Sequence, residues 1–316
     1  MEAAGRKGHN IFAELGISIL VFIASNIALG MVTGVCSTIN MFTDPRYLEM
    51  LASGTVDIEL IMQIATELPD WLWVVNLLCQ IFLTVGCLIY CRCFEKRKSD
   101  TLGFVKKGAV PQYLIGAALG VGMFAASFGI CALFGSAEIT NVALTGSPLM
   151  LVLFFIGYLI QGMAEEVFCR GYLMVSIGRR YSVITAVLVS SVVFALLHAM
   201  NTGLTLLALF NLFLFGVFMA LLMLRYNNIW IAGAMHSLWN FTQGNIFGVQ
   251  VSGTNTATSV MTSAADESMA LINGGSFGLE GGLAVTFVLL AGCVFLCISL
   301  ARKGCFVKKE QAVEAA

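Results

Sequence analysis

Three short patterns place ionisable side chains where hydrolytic chemistry could use them: Glu165-Glu166-Val167-Phe168-Cys169-Arg170, Phe194-Ala195-Leu196-Leu197-His198 and His236-Ser237-Leu238-Trp239-Asn240. Each lies in a strongly apolar stretch, where charge is costly and by default marks function. Consecutive helical positions point about 100° apart, so Glu165 and Glu166 must face different neighbours. Glu166 and Arg170 have the i, i+4 spacing of a same-face ion pair, which would neutralise the guanidinium and stiffen the helix. Glu165 is then the carboxylate left to act as a general base. His236 and Asn240 stand one turn apart on one face. Two imidazoles can bind a metal or orient a water, and an imidazole with a carboxamide can donate to a developing oxyanion. Taken singly, a membrane histidine is more often an interhelical hydrogen-bonding residue, and the double glutamate reads equally well as a charged helix end. The combination is harder to dismiss, because His198 and His236 are the only histidines besides His9.

The elements that must position these groups are membrane helices. Hydrophobic residues make up 59% of the 316, charged residues only 11%, and mean hydropathy is +0.90; such values lie well outside the range of water-soluble domains. A net charge of -1 gives no basic excess that would suggest nucleic acid. A span needs roughly 20 apolar residues. That criterion picks out eight stretches, approximately 11–35, 71–92, 111–134, 148–178, 182–200, 204–224, 229–247 and 281–301. The first follows Arg6, Lys7 and His9 as a signal peptide would, but it lacks a small-residue cleavage site and reads as a retained span. Pro45, Pro69, Pro111 and Pro148 all fall in connections or at span starts. The expected fold is all-α, a polytopic bundle of about eight spans.

Lys and Arg concentrate on the cytoplasmic side of inserted helices. With the N-terminus inside, sixteen of the 17 basic residues fall in inner segments: Arg6 and Lys7, six between Arg92 and Lys107, Arg170, Arg179 and Arg180, Arg225, and four from Arg302 to Lys309. Only Arg46 lies outside, among acids such as Asp44, Asp57, Glu67, Asp70 and Asp266. Both termini are therefore expected in the cytoplasm. Of the two long outer segments, 36–70 should hold an interfacial helix near 57–68 with Trp71 and Trp73 as anchors, and the Ser-, Thr-, Asn- and Gly-rich 248–280 reads as a flexible solvent loop. Neither carries a candidate site. The ten cysteines include no Cys-x-x-Cys pair and read as buried thiols, with Cys91 and Cys93 near the interface as the reactive exceptions. The chain divides into helices one to three with the first outer loop (1–147), a core of helices four to seven (148–247), and the second outer loop, last helix and basic tail (248–316).

In this order on successive membrane helices, the three motifs resemble the CPBP family of intramembrane proteases. That family includes the Rce1-type CAAX prenyl endopeptidases and the bacterial Abi proteins of bacteriocin processing and self-immunity. The resemblance covers residues 148–247. It implies that Glu165 and His198 activate the attacking water, that His236 and Asn240 stabilise the tetrahedral oxyanion, and that Glu166 and Arg170 support the site. Members typically carry Phe immediately before the motif arginine; Cys169 holds that place here and Phe168 precedes it. Zinc held by Glu165, His198 and His236 and a metal-free glutamate mechanism both fit the motifs.

Measured along straight helices, Glu165, His198 and His236 lie ~20, ~24 and ~10 Å from the inner ends of their spans. They can meet only if the helices are offset, most simply with the last turns of the fourth below the membrane. Rival readings are an ion- or proton-coupled transporter, which also buries charge, and a non-catalytic immunity protein that sequesters a partner. The expected partners are the lipid bilayer and a membrane-associated peptide or protein substrate: a prenylated terminus, a bacteriocin leader or the end of a regulatory protein. The short tails suit a bacterial plasma membrane.

Overall fold

The computed structural model describes residues 8–255 and 257–303. Arg6, Lys7, Lys308 and Lys309, and with them most of the expected basic tail, lie outside the described residues. Every one of the eight apolar stretches is helical. In chain order the helices are α1 (Ile11–Thr43), α2 (Pro45–Ser53), α3 (Ile58–Thr66), α4 (Asp70–Cys79), α5 (Ile81–Ile89), α6 (Ala109–Leu133), α7 (Pro148–Glu166), α8 (Val175–Gly178), α9 (Val183–Leu197), α10 (Leu206–Tyr226), α11 (Trp230–Phe241), α12 (Ala270–Asn273) and α13 (Leu283–Arg302). A π-helical segment, Val167–Met174, joins α7 to α8, so that Pro148–Gly178 runs as one rod; α4 and α5 similarly continue to Phe94. Helix starts follow the expected chemistry. The side chains of Asn10, Ser147, Ser182 and Thr205 each accept a first-turn N–H, and Pro148 fills the first helical position.

Among the described residues six helices are long and apolar enough to cross a membrane, which corrects the expected eight. The two that fall short are α9 and α11. The apolar run of α9 ends at His198, which caps the helix, and the chain then turns. In α11 the expected run divides into twelve α-helical residues and a five-residue π turn, Thr242–Ile246. Nearly all of α11 is buried among α6, α7 and α10. A helix sheathed in protein need not present a full apolar length to lipid, so it can carry His236, Asn240, Gln243 and Asn245. Two glycines allow the close approach. A Cβ on Gly120 of α6 would stand 2.8 Å from the backbone N of Trp239, and one on Gly162 of α7 would stand 2.6 Å from that of Ser237.

The connections segregate to opposite ends of the bundle. At one end, Ile11 N donates to the Tyr181 hydroxyl, Asn228 donates to Val105 O, and Arg97 bonds Glu95 and Ser176. At the other, Asn201 donates to Ser252 O, Ala257 N donates to Asp70, and strand β1 (Ala137–Asn141) pairs antiparallel with β2 (Thr262–Ala265). The 248–280 segment is thus built into that end, not the loose solvent loop its composition suggested. Asn273 donates to Ser136 O and Asp266 O, and Asn211 of α10 donates to Glu280 O and Gly282 O. In the first outer segment α3 lies within the expected helical stretch, N-capped by Asp57. There the Arg46 guanidinium bonds both Asp44 and Glu67; it holds the Asp44 carboxyl below its ordinary range, and the Gln63 amide together with Arg46 does the same for Glu67. Among the described residues the cysteines are free; Cys91 is buried and Cys93 exposed, so only one of that expected reactive pair reaches solvent.

Candidate functional site

Four elements deliver the motif side chains to one place. Glu165 and Glu166 end α7, Arg170 lies in the π-helical segment behind them, His198 caps α9, and His236 and Asn240 stand one turn apart on α11. The offset between the helices settles the expected mismatch in height. A Cβ on Gly171 would press on Leu102 O, and Ile229 N donates to Gly103 O, so Gly171 and the start of α11 are level with one another. Glu165 is six residues from that level and His236 seven, about 9 and 10.5 Å of helix. The rod continues seven residues past Gly171 to Gly178, so its last turns do extend beyond the start of α11. Arg170 likewise sits against Gly216 and Ser191, seven residues before His198.

Glu166 and Arg170 form the expected i, i+4 pair at 3.0 Å, and both side chains are wholly buried. The guanidinium also lies 4.5 Å over the Phe194 ring, which gives the first residue of the second motif a role in seating the arginine. The same Glu166 oxygen accepts from His236 Nδ1 at 2.9 Å. Beside an arginine this carboxyl is a carboxylate, so Nδ1 carries the hydrogen and Nε2 is directed to the cavity. The rings of Phe194 and Phe215 fix His236 edge-on. His198 is oriented in a parallel way, its Nδ1 2.9 Å from Phe194 O.

Both Nε2 atoms face Glu165. Its Oε2 stands 3.9 Å from His198 Nε2 and 3.8 Å from His236 Nε2, too far for direct hydrogen bonds, and it is buried without a partner among the described residues. The other oxygen, Oε1, accepts from Gln161 Nε2 at 2.6 Å, and Gln161 Oε1 in turn accepts from Asn240 Nδ2 at 3.0 Å. Gln161 ties the first motif to the third, yet none of the patterns includes it. The available signal was its place one turn before Glu165 on the same helical face.

Three acceptor atoms with no donor between them can be reconciled by a water or a cation. The donor types suit zinc. Tetrahedral zinc at ~2.0–2.1 Å brings ligand atoms to about 3.3–3.4 Å, a few tenths of an ångström closer than Glu165 Oε2 stands to either Nε2, and among the described residues no group of three or more His, Cys, Asp or Glu is arranged to hold a metal. A water beside them can bridge Glu165 Oε2 to either Nε2.

These groups line a cavity of about 290 Å³ whose walls are notably amidic, with Asn76, Gln80, Asn201 and Asn211 besides Gln161 and Asn240. The 248–280 segment also contributes to it, through Val251, Ser252, Thr254 and Glu280, where the sequence had suggested no site residue.

Among curated proteins none matches the chain. Residues 146–242, about a third of the chain and the stretch holding all three motifs, match the family model described as type II CAAX prenyl endopeptidase Rce1-like. The stretch that gathers the motif side chains at one cavity, residues 146–242, is thus similar to the Rce1-like endopeptidases.

Proposed function

We propose that this protein is an intramembrane endopeptidase that hydrolyses a peptide bond of a membrane-associated polypeptide. The observation that carries the reading is the convergence of one buried carboxylate oxygen and two imidazole nitrogens at 3.8 and 3.9 Å, close enough for one water to bridge them. In this reading Glu165, assisted by His198, takes a proton from that water as its oxygen attacks the scissile carbonyl. The proton then passes to the leaving amine. Asn240 spends one N–H on Gln161 and has a second for the oxyanion. Glu166 holds His236 through Nδ1. For the oxyanion role His236 enters the step already protonated at Nε2 by bulk water and keeps that proton while Nε2 donates to the same oxyanion, so the one proton released by the attacking water still passes through Glu165 to the amine. Arg170 keeps Glu166 charged and in place. A membrane-associated segment reaches such a site from a bilayer, and a multi-pass protein of a bacterial plasma membrane is the setting we propose.

The test is hydrolysis, not flux. Membranes holding the wild type are compared with membranes holding Glu165→Gln by mapping new peptide termini, and a peptide found this way is assayed with purified protein. The variant should lose on the order of 10²–10⁴-fold in kcat. Cleavage should persist in excess chelator, since the steps use a water held by side chains. Ion flux through proteoliposomes without any Glu165-dependent terminus would replace this reading with a transporter, and chelator-sensitive cleavage with bound zinc would make Glu165, His198 and His236 metal ligands.

A further inference from the structure

The cavity has a floor and a direction. Glu165 and His236 lie near mid-height of their rods, and the walls rise from them along the first turns of α4, α10 and α13 and the last of α9 to Ser252, Thr254 and Glu280. All of these belong to the end of the bundle that holds the 44–70 and 248–282 segments. Below the floor the protein is closed. Glu166, Cys169, Arg170, Tyr172 and Ile177 are essentially inaccessible. Beyond them Arg179 pairs with Glu95 and Glu14, all three buried, while Arg97 bonds Ser176. That closed end carries the basic connections, which mark the cytoplasmic side.

The charge of the cavity points the same way. Among the described residues no lysine or arginine lines it, and the acidic side chains that do are Glu165 and Glu280. Glu280 is turned toward its own loop, where Oε2 accepts from Ser252 N and Oγ. Seven carboxamides, including Asn26, also line it; Gln161 and Asn211 are spent on neighbouring groups, whereas among the described residues no hydrogen bond engages the side chains of Asn76 and Gln80 at the mouth. Carboxamides donate and accept, as an extended peptide backbone requires. An anionic terminus near the scissile bond would meet the Glu165 carboxyl at the floor and no lysine or arginine of the described lining to pair with.

From these features, and resting on the peptidase reading above, we infer that the site takes its substrate from the extracytoplasmic side. The substrate is a peptide segment, on an exported or membrane-anchored polypeptide, with no anionic group next to the scissile bond. It is held by hydrogen bonds from carboxamides to its main chain. A free C-terminal carboxylate presented from the cytoplasm is not its ligand.

Access is tested without knowing the substrate. Right-side-out and inverted vesicles from an expressing bacterium are treated with a membrane-impermeant maleimide, and labelled cysteines are mapped by mass spectrometry. In the unsubstituted chain, exposed Cys93 at the closed end should react only in inverted vesicles. Asn76→Cys and Thr254→Cys, at the cavity mouth, should react in right-side-out vesicles. Mouth cysteines that react only in inverted vesicles, or in neither, overturn the inference, as does Cys93 labelling from outside. The substrate half is read from the Glu165-dependent new termini, expected in extracytoplasmic segments without a neighbouring Asp, Glu or chain end. Termini in cytoplasmic tails would overturn the inference and leave the peptidase reading intact. Outside labelling with no Glu165-dependent terminus anywhere would sink the peptidase reading and with it the substrate class, while the direction of access would hold.

Discussion

Adding one methyl group at Gly162 should separate hydrolysis from folding. A Cβ there would lie 2.6 Å from the backbone N of Ser237, 2.7 Å from its Oγ and 2.9 Å from its Cα, where ordinary contact begins at 3.4 Å. The obstacle is mainly backbone, so no rotamer change relieves it. In Gly162→Ala, α7 and α11 must move apart by about 0.8 Å, at an overpacking cost of ~1–3 kcal/mol. The added methyl sits three residues from Glu165, and the obstructing backbone is next to His236. The displacement therefore falls almost wholly on the 3.8 Å gap between Glu165 Oε2 and His236 Nε2. Misplacement of reacting groups by ~1 Å costs on the order of 10²-fold. Gly162→Ala should lower kcat/KM for a cleaved peptide by about that factor, while its thermal transition in detergent falls by only a few degrees. The comparison is Gly122→Ala in α6, where a Cβ meets nothing within 4 Å; it should keep full activity and gain ~0.5–1 kcal/mol of helix stability. Wild-type kcat/KM in a folded Gly162→Ala would refute the idea that the α7–α11 distance sets the reacting geometry.

Three further outcomes follow from the contacts. Glu166→Ala strands the buried Arg170 guanidinium and His236 Nδ1, and should destabilise by ~3–5 kcal/mol; adding Arg170→Met should recover much of the thermal stability, and a single variant as stable as wild type would contradict the pairing. Gln161→Met keeps the side-chain length but removes both hydrogen bonds between Glu165 and Asn240. It should cost ~10–100-fold in kcat, the range typical of groups that orient a catalytic residue, and a loss confined to KM would assign Gln161 to substrate binding instead. In the first outer segment the carboxyl of Asp44 is held below its ordinary value by Arg46, and that of Glu67 by Gln63 and Arg46. A depressed carboxyl stabilises the folded form above its ordinary pKa, and that contribution is lost as pH falls through the lowered one. Amide exchange of residues 44–67 should therefore quicken as pH drops below ~4, and exchange that slows there, after correction for its intrinsic pH dependence, would count against the triad.

Much of this site was legible because burial in lipid filters the sequence: where nearly everything is apolar, Glu165, His198, His236 and Asn240 stand out, and helical geometry separates the two glutamates. Glu166 and Arg170 needed only the i, i+4 rule. Three things escaped. Gln161 was invisible because a single glutamine has no pattern of its own, and its value comes from a partner 79 residues away. The length of α11 was misjudged because hydropathy counts apolar residues without knowing whether lipid or protein surrounds them; sheathed by α6, α7 and α10, a short helix suffices. The 248–280 segment read as loose because Ser, Thr, Asn and Gly are turn formers, yet those hydroxyls and amides make the long-range bonds that fasten it over the cavity.

Chemistry and access are encoded in different parts of the chain. All four groups given a direct part in hydrolysis fall within residues 146–242, on helices whose mutual heights are fixed by buried contacts around Gly162, Gly171 and Arg170. The mouth of the cavity is built from outside that stretch, by Trp73, Asn76 and Gln80 before it and by Ser252, Thr254 and Glu280 after it. A change in the core alters the distance between a carboxylate and two imidazoles, where tenths of an ångström matter, and so acts on the rate of bond cleavage. A change at the mouth alters which polypeptide reaches the floor and leaves those distances alone. In the peptidase reading, specificity is therefore set by the first turns of α4 and by the second outer segment, and exchanging residues 248–282 while keeping the core should redirect cleavage without abolishing it.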